Sequence, residues 1–289
     1  MTETTAPVQP EALERVVIRF AGDSGDGMQL VGDRFTDVSA AFGNDLATLP
    51  NYPAEIRAPA GTIAGVSSFQ VHIAGRDIVT PGDAPNLLVA MNPAALKANI
   101  GDLMPGGAII ANTDAFEPRN LEKAGYLGNP LEDGSLASYR LYAIPMTTLT
   151  LEAAKDTGAK PRDAERSKNF FALGLIAWMY TRPVDSIMRW IDERFGKNQI
   201  VHDANLASFK AGYHFGETAE IFEHAYTVPA AELTPGRYRN ITGNIATAYG
   251  LVAAAHQAKL PLFLASYPIT QASDILHELS KHKRLEIGR

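Results

Sequence analysis

Short apolar runs alternate with longer segments of helical period over the first 225 residues of the chain. Residues 15–20 form an apolar run that predicts a buried strand, and the sequence GDSGDG follows at once at residues 22–27. Beyond it, apolar residues recur at the spacing of one helix face, at Val31, Phe35, Val38 and Phe42. Gly43 is placed to end that helix. The pattern predicts a strand, a glycine loop and a helix.

Further apolar runs predict four more strands. Residues 66–73 alternate loosely, which indicates a strand with one wetter face, whereas residues 87–91 and 108–111 are unbroken, as in strands covered on both faces. Residues 139–144 form the last run. Helical periods cover residues 169–180, 184–195 and 203–213. The expected fold class is therefore α/β, with a layered domain over residues 12–225.

Prolines and polar composition mark the other expected boundaries. Three prolines in residues 49–62 block a helix and a central strand, which favours an ordered loop with a function. Residues 226–239 carry two prolines, a glycine and mixed charge, and we interpret them as a linker. Residues 1–11 contain no basic or apolar leader and are expected to be a disordered tail. The longest apolar stretch, residues 170–180, is too short to span a bilayer, so a cytoplasmic protein is expected.

Residues 240–289, beyond the linker, show a helix, an apolar strand and a second helix. The first helix covers residues 243–258, the strand covers 260–266 and the last helix covers 272–282. Three such elements are too few to bury a core between packed layers. This segment is therefore expected to be the incomplete beginning of a second domain.

The amino-acid composition argues against several classes of function. The net charge is −6, which gives no electrostatic reason for nucleic-acid binding. The chain has no cysteine, so it holds no disulfide, no thiolate-bound iron–sulfur cluster and no cysteine nucleophile. Its seven histidines show no metal-ligand spacing. No metal site is expected.

The glycine loop after the first strand has two interpretations. Amides at the start of a helix favour anions, which would make Gly22, Gly25 and Gly27 contacts of a phosphate. The spacing differs from the dinucleotide pattern G-x-G-x-x-G, and Asp23 and Asp26 place negative charge where a phosphate would lie. A tight structural turn, with Asp26 capping the helix, is the alternative.

Two further residues are candidates for contact with an anion. Arg57 could hold a carboxylate or phosphate with its planar guanidinium, or form a surface pair with Glu55. Thr270 follows the predicted strand at residues 260–266, at the carboxyl edge where open α/β sheets bind ligands. Its hydroxyl could donate a hydrogen bond to a substrate carboxylate or cap the last helix.

Two segments near the carboxyl end resemble the opening of the pyrimidine-binding domain of 2-oxoacid:ferredoxin oxidoreductases. One is the stretch G-N-x-A-x-A-x-G that begins with Gly243 and Asn244. The other is the Tyr-Pro-Ile-Thr turn at residues 267–270, in which Gln271 replaces the family's usual proline and Ser273 is retained.

The domain at residues 12–225 is similar to the γ domain of the same family. The similarity rests on the strand and glycine loop, on residues 52–59, and on the strand that ends at Asn92. The family's loop is usually G-x-G-G-Q-G, so the two aspartates and the serine of the present loop are departures. A γ domain ahead of an α domain resembles the layout of 2-oxoglutarate:ferredoxin oxidoreductases, and the resemblance covers about residues 12–284.

The resemblance implies coenzyme A-dependent oxidative decarboxylation of a 2-oxoacid. The expected substrate is 2-oxoglutarate in preference to pyruvate, and the product is then succinyl-coenzyme A. The resemblance also implies a β-type partner subunit that carries most of the thiamine diphosphate site and an iron–sulfur cluster, ferredoxin as electron acceptor, and an αβ or (αβ)2 assembly. Thr270, with Tyr267 and Ile269 in its turn, would bind the substrate. Gly243 and Asn244 would lie at the thiamine cofactor, and the loop glycines and Arg57 would contact coenzyme A.

The carboxyl end of the sequence leaves an alternative open. Relatives continue into an acidic segment whose glutamate activates thiamine, and this sequence stops at residues 285–289, before such a glutamate. The chain alone is therefore expected to be inactive. The alternative is a non-catalytic assembly module or a truncated, inactive fragment of the subunit. A nucleotide-binding regulatory domain is disfavoured by the loop spacing.

Overall fold

A computed structural model describes residues 10–52, 65–267 and 269–282, with the side chains of residues 270 and 271 excepted. The chain divides between Thr234 and Pro235 into two compact units. Every strand found in the described ranges belongs to the first unit. Within those ranges, no helix is both long enough and apolar enough to cross a membrane.

The first unit is built on a six-stranded sheet. Its strands are β2 (Arg15–Asp23), β3 (Asp45–Asn51), β4 (Val66–Ala74), β5 (Leu87–Ala90), β6 (Ala108–Asn112) and β7 (Arg140–Ile144). Two short strands, β1 (Glu11–Ala12) and β8 (Tyr226–Thr227), form a separate parallel pair. The helices are α1 (Met28–Phe42), α2 (Pro93–Asn99), α3 (Pro118–Lys123), α4 (Met146–Ala154), α5 (Pro161–Glu165), α6 (Lys168–Met179), α7 (Asp185–Phe195) and α8 (Gln199–Thr218).

The strand order in the sheet is β3-β4-β2-β5-β6-β7. Strands β2, β5, β6 and β7 run parallel, whereas β4 is antiparallel to both β2 and β3. The carboxyl ends of four parallel strands therefore meet at one edge of the sheet, and their amino ends meet at the opposite edge. This arrangement confirms the α/β class and the strands predicted from the apolar runs at 15–20, 87–91, 108–111 and 139–144.

Alternating residues of β2 divide the core between the two faces of the sheet. Phe20 belongs to a large cluster that includes residues of α1, α6, α7 and α8, whereas Ala21 belongs to a smaller cluster that includes residues of α2. Helix α1 presents an apolar face to the core in which Val31, Phe35 and Val38 are buried, as predicted, whereas Phe42, predicted on the same face, is 37% exposed at the end of the helix. It ends at Gly43, whose φ of 102° is the left-handed conformation that favours glycine.

Two glycines allow α6 and α8 to cross with their backbones in contact. A Cβ atom on Gly174 would lie 2.0 Å from the carbonyl oxygen of Phe209, and one on Gly212 would lie 1.9 Å from the carbonyl oxygen of Phe171. Both distances are far below van der Waals contact. The two helices can therefore approach this closely only because both positions lack a side chain.

The first residues of the segment at 49–62, where an ordered loop was predicted, belong to an edge strand. Strand β3 extends through Pro50 to Asn51, and Pro50 pairs opposite Phe69 of β4. Exclusion by proline holds for central strands, whereas β3 is an edge strand, where a missing N–H is tolerated. The remainder of the loop predicted there, with Glu55 and Arg57, lies outside the described residues.

The prediction of a wetter face on the strand at 66–73 is wrong. Gln70 and His72 are both only 2% exposed. The loop after β4 covers them: the Gln70 amide donates to the carbonyl oxygens of Pro81 and Gly82 at 2.8 and 2.7 Å, and His72 Nδ1 lies 2.8 Å from the carbonyl oxygen of Thr80. A following loop that hydrogen-bonds to polar residues permits their burial, and the alternation of the strand cannot reveal it.

The first unit includes residues at both predicted chain boundaries. Glu11, in the predicted tail, pairs opposite Tyr226, in the predicted linker, through the β1–β8 ladder. Val228 is fully buried in the large core cluster. The first residues of the predicted linker therefore belong to the first unit, and the unit boundary falls at Thr234.

The second unit consists of α9 (Gly243–Ala258), an extended segment and α10 (Thr270–Lys281). The helices confirm the two predicted ones, but residues 260–266 form no strand. No strand of the described part of this unit is available to pair with them, and an unpaired strand does not persist in water. Apolar side chains of this segment are exposed within the described structure: Leu260 is 67% and Phe263 is 87% exposed.

Candidate functional site

A cavity of about 490 Å³ lies at the carboxyl edge of the sheet. Its lining comes from the residues that follow or end the parallel strands and from the helices that begin there, and most of it is polar. The lining residues are Asp23, Asp26, Met91, Asn92, Asn112, Asp114, Ala115, Glu117, Asn120, Thr147, Thr148, Glu165 and Lys168. This is the edge at which open α/β sheets bind ligands.

The glycine loop forms a tight turn at the mouth of this cavity. The amide of Asp26 donates to the carbonyl oxygen of Asp23 at 2.9 Å, and the amide of Asp23 donates to Asp26 Oδ2 at 2.9 Å. Asp26 therefore closes the turn and does not cap α1. The residue in the cap position is Gly27, with a φ of 72°, and no side chain caps the helix.

Two of the three loop glycines are required by the packing of the turn. A Cβ on Gly22 would lie 2.8 Å from Asp26 Oδ2, and a Cβ on Gly27 would lie 2.3 Å from Asn169 Nδ2. A Cβ on Gly25 would meet nothing within 4 Å. These contacts explain Gly22 and Gly27 by the structure of the turn itself, which is the interpretation that needs no ligand.

An ion pair fastens the loop to α6. Lys168 Nζ lies 3.1 Å from Asp26 Oδ1, and the two side chains are 17% and 14% exposed. Glu165 is a second carboxylate near the same ammonium, at 3.6 Å. Because Lys168 is held between two carboxylates, its charge is already balanced inside the site.

Side chains also engage the helix amides that face the cavity. Asn92 Oδ1 accepts from the amide of Ala95 at 2.8 Å and so caps α2, and Asn92 Nδ2 donates to Asp23 Oδ1 at 2.9 Å. Asp114 accepts from both the amide and the hydroxyl of Thr148, at 2.7 and 3.0 Å, in the first turn of α4. At least one otherwise free amide in the first turn of both α2 and α4 is therefore already paired with a side chain of the chain itself.

The charges around the cavity do not favour a phosphate. Five carboxylates and one ammonium line it, so a polyanion would meet net negative charge. No cluster of side chains in the described ranges could hold a metal ion that would reverse this balance. Amides, hydroxyls and carboxylates instead offer hydrogen bonds to uncharged polar groups.

The residues predicted at the substrate lie in the second unit, at the start of α10. The helix begins at Thr270, and Ile269 is its N-cap residue, so Thr270 occupies the first helical position and not the cap position assumed in the capping interpretation. Ser273 Oγ donates to the carbonyl oxygen of Ile269 at 2.7 Å. Tyr267 and Ile269 are 72% and 40% exposed.

Gly243 and Asn244 open α9, as the sequence predicts. Thr242 caps that helix by accepting from the amide of Ile245 at 3.3 Å. A Cβ on Gly243 would meet nothing within 4 Å, so no contact within the described residues requires a glycine there. The space beside Gly243 is therefore open within the described residues.

Sequence reasoning missed most of the polar lining of the cavity. Asn112, Asp114 and Lys168 were not among the candidates, although the signal was present: Asn112 and Asp114 follow directly on a predicted buried strand, as Asn92 does. Polar residues at the carboxyl ends of several parallel strands converge on one edge. Lys168 has no such signal, because its position depends on how α6 packs against the loop.

Residues 17–215 match the family of pyruvate ferredoxin/flavodoxin oxidoreductases. The 2-oxoglutarate oxidoreductase subunit KorA of Mycobacterium tuberculosis is 60% identical over 277 residues, which are 96% of this chain and 42% of that protein. The ketoisovalerate oxidoreductase subunit VorA of Methanothermobacter marburgensis is 26% identical over 71% of this chain and 37% of that protein. The chain thus spans about two fifths of the length of these relatives.

Two solved structures share the fold. A 2-oxoglutarate:ferredoxin oxidoreductase from Magnetococcus marinus, with 2-oxoglutarate, coenzyme A and succinyl-CoA bound, matches with a TM-score of 0.67 and 24% identity over 93% of this chain and 41% of that one. The γ subunit of a keto/oxoacid ferredoxin oxidoreductase from Geobacter sulfurreducens matches with a TM-score of 0.50 and 19% identity over 72% of this chain and 99% of that one.

Proposed function

The chain belongs to the pyruvate ferredoxin/flavodoxin oxidoreductase family, and on that basis we propose that it is part of an enzyme that oxidises 2-oxoglutarate to succinyl-coenzyme A and CO₂. The observation that carries this proposal is the 60% identity to a 2-oxoglutarate oxidoreductase subunit over 96% of the chain. Ferredoxin is the proposed electron acceptor, as the names of the relatives suggest.

A partner subunit is part of the proposal, as the family resemblance implies. With no cysteine in 289 residues, it supplies no thiolate to an iron–sulfur cluster. A β-type subunit would hold the cluster and most of the thiamine diphosphate site, in an αβ or (αβ)2 assembly. Thiamine diphosphate supplies the carbanion chemistry of decarboxylation. Gly243 and Asn244, in the first turn of α9, are this chain's proposed contacts to it.

Thr270 is the proposed contact to the substrate carboxylate. It occupies the first position of α10, a twelve-residue helix whose N-terminal amides favour a negative charge. The neighbouring side chains of Tyr267 and Ile269 are exposed and so accessible to a ligand. A hydroxyl at this position would orient the oxoacid by a charge-assisted hydrogen bond.

Thr270→Val tests this role in the complete enzyme, assembled with its β-type partner. The substitution keeps the shape of the side chain and removes the hydroxyl, so kcat/KM for 2-oxoglutarate should fall by about 10- to 100-fold, the value of one hydrogen bond to a charged group. Coenzyme A-dependent reduction of a low-potential dye is the measurement. Thr218→Val is the matched control, because that hydroxyl bonds to the carbonyl oxygen of His214 inside α8, away from the residues proposed to bind substrate or cofactor.

Each outcome of this assay has a distinct meaning. An unchanged kcat/KM in Thr270→Val removes the residue from the site and leaves the enzyme assignment intact. An assembled complex that turns over no 2-oxoacid refutes the assignment and supports the assembly-module alternative. Turnover of pyruvate in preference to 2-oxoglutarate corrects the substrate alone.

We propose a narrower role for the cavity at the carboxyl edge of the sheet. Coenzyme A has phosphates at one end and an uncharged arm with two amides and a hydroxyl at the other. The carboxylate-rich lining fits the uncharged arm and not the phosphates, because Asp23 and Asp26 can accept hydrogen bonds from amide N–H groups. Arg57, outside the described residues, remains the proposed contact to a phosphate.

Asp23→Asn distinguishes the two orientations of coenzyme A. If Asp23 accepts from an amide of the arm, loss of its charge should raise the KM for coenzyme A by about five- to tenfold and leave the KM for 2-oxoglutarate unchanged. If the loop faces the phosphates, loss of a negative charge should lower that KM instead. Glu122→Gln on α3 removes the same charge away from the cavity lining and serves as the control.

A further inference from the structure

A second cavity lies at the opposite edge of the sheet, where the parallel strands begin. Its volume is about 160 Å³. Aromatic rings and two arginines dominate its lining, which consists of Glu11, Leu13, Arg15, Val16, Asn86, Ala108, Arg140, Tyr142, Met179, Tyr180, Phe222, His224 and Tyr226. None of these residues lines the cavity at the carboxyl edge.

The walls of this amino-edge cavity are rings that pack against one another. Tyr142 and Phe222 lie with their centroids 4.8 Å apart, and Tyr180 and Tyr226 are stacked at 5.8 Å. His224 meets the edge of Tyr226 at 5.3 Å. Rings that support each other in this way form a preformed apolar surface, which is typical of small-molecule sites.

Two guanidinium groups at this cavity have no carboxylate partner in the part of the chain that the structure describes. Arg140 Nη1 donates to the hydroxyl of Tyr226 at 3.1 Å, and Arg15 forms no salt bridge. The carboxylate of Glu11, the one acid in the lining, is paired with His224 Nε2 at 2.7 Å. The positive charge of the arginines is therefore available to a ligand.

Tyr180 presents a hydroxyl donor to the same cavity. The residue is 3% exposed, yet its hydroxyl makes no hydrogen bond to any residue within the described ranges. Burial raises the pKa of this phenol, so the hydroxyl stays protonated at neutral pH. The hydroxyl is not among the fully enclosed polar atoms that lack a partner in the described residues, so it faces the cavity, where a bound acceptor would replace water as its partner.

We propose that the amino-edge cavity binds a small aromatic carboxylate. The guanidinium of Arg140 or Arg15 would hold the carboxylate through paired N–H donors, and Tyr180 would donate to it from inside. The ring of the ligand would pack against Tyr142 and Phe222. A volume of about 160 Å³ accommodates one six-membered ring with its carboxylate and leaves no room for a nucleotide. None of the cavity's lining residues is a proposed contact of the oxoacid or of coenzyme A.

Titration calorimetry of the chain with benzoate tests the proposal. Benzoate should bind with a saturable isotherm at one site, and benzamide, which has the same shape without the charge, should bind at least about tenfold more weakly. Inorganic phosphate should also bind more weakly, because it gains nothing from the rings. No saturable heat with benzoate up to about 10 mM, or equal affinity for benzamide or phosphate, would overturn the proposal.

Variants assign the binding to this cavity. Arg140→Gln should weaken benzoate binding by about tenfold or more, and Tyr180→Phe, which keeps the ring, should weaken it by about three- to tenfold. Arg119→Gln, on α3 and outside this lining, should change nothing. Thermal unfolding of each variant checks the fold. Unchanged affinity in Tyr180→Phe and in a folded Arg140→Gln would refute the site even if benzoate binds elsewhere.

Discussion

Replacing Gly212 with alanine should lower the free energy of unfolding of the first unit by about 3 kcal/mol. The new Cβ would lie 1.9 Å from the carbonyl oxygen of Phe171, so α8 would have to move away from α6. Helix α6 is buried along most of its length in the main core cluster, and its displacement would disturb the sheet as well. Urea unfolding followed by tryptophan fluorescence is the measurement, since Trp178 and Trp190 both lie in this unit.

Gly101→Ala is the matched control for this substitution. Gly101 has no positive φ, and a Cβ there would meet nothing within 4 Å. Alanine should therefore raise the free energy of unfolding slightly, by about 0.5 kcal/mol, because it restricts the unfolded chain. Equal stability of the Gly212 and Gly101 variants would show that the two helices do not cross as closely as the structure indicates.

Replacing Arg19 with methionine should lower the free energy of unfolding by about 3 kcal/mol, because it leaves buried acceptors without donors. Arg19 is 9% exposed in the middle of β2. Its Nε and Nη2 donate to Gln70 Oε1 at 2.9 and 2.7 Å, and Nη1 donates to Asn99 Oδ1 at 3.2 Å and to Asp102 Oδ2 at 2.5 Å. Asp102 is 59% exposed and can turn to water, so most of the loss comes from Gln70 and Asn99.

Arg76→Met provides the comparison for Arg19. Arg76 pairs with Glu14 at 2.5 Å, but the two side chains are 59% and 66% exposed. An exposed pair contributes little, so the free energy of unfolding should change by no more than about 0.5 kcal/mol. The urea midpoints of the two variants give both changes in the free energy of unfolding, provided that its dependence on urea concentration stays the same. If Arg19→Met lowers the free energy of unfolding as little as Arg76→Met does, water must reach the acceptor oxygens of Gln70 and Asn99.

The pattern of apolar residues along the chain predicted the strands β5 and β6 and the helix α1. The unbroken apolar runs of β5 and β6 indicated strands covered on both faces, and both strands are fully buried. The spacing of Val31 and Phe35 gave the buried face of α1, and Gly43 gave its end. The face of α1 follows from the helical period of 3.6 residues, and the unbroken runs follow from the burial of both faces of a strand.

The pattern of apolar and polar residues could not predict which distant segments pair as strands. A proline excludes a central strand but not an edge strand, and the position of β3 at the edge is set by its pairing with β4. The apolar run at 260–266 is as strand-like as β5, yet it forms no strand, because strand formation depends on a neighbour that offers backbone hydrogen bonds.

The sequence by itself determined the α/β class, the glycine turn, the two helices of the second unit and the absence of thiolate ligands. It also carried the family resemblance, through the turn that ends at Thr270. Only the tertiary structure decided that Lys168 forms an ion pair with Asp26 and that the glycine loop lines an acidic cavity. It also decided that Arg140 and Tyr180 line the same aromatic cavity at the amino edge of the sheet. Periodicity reports which face of an element is buried, whereas the chemistry of a site depends on which distant side chains the fold brings within a few ångströms.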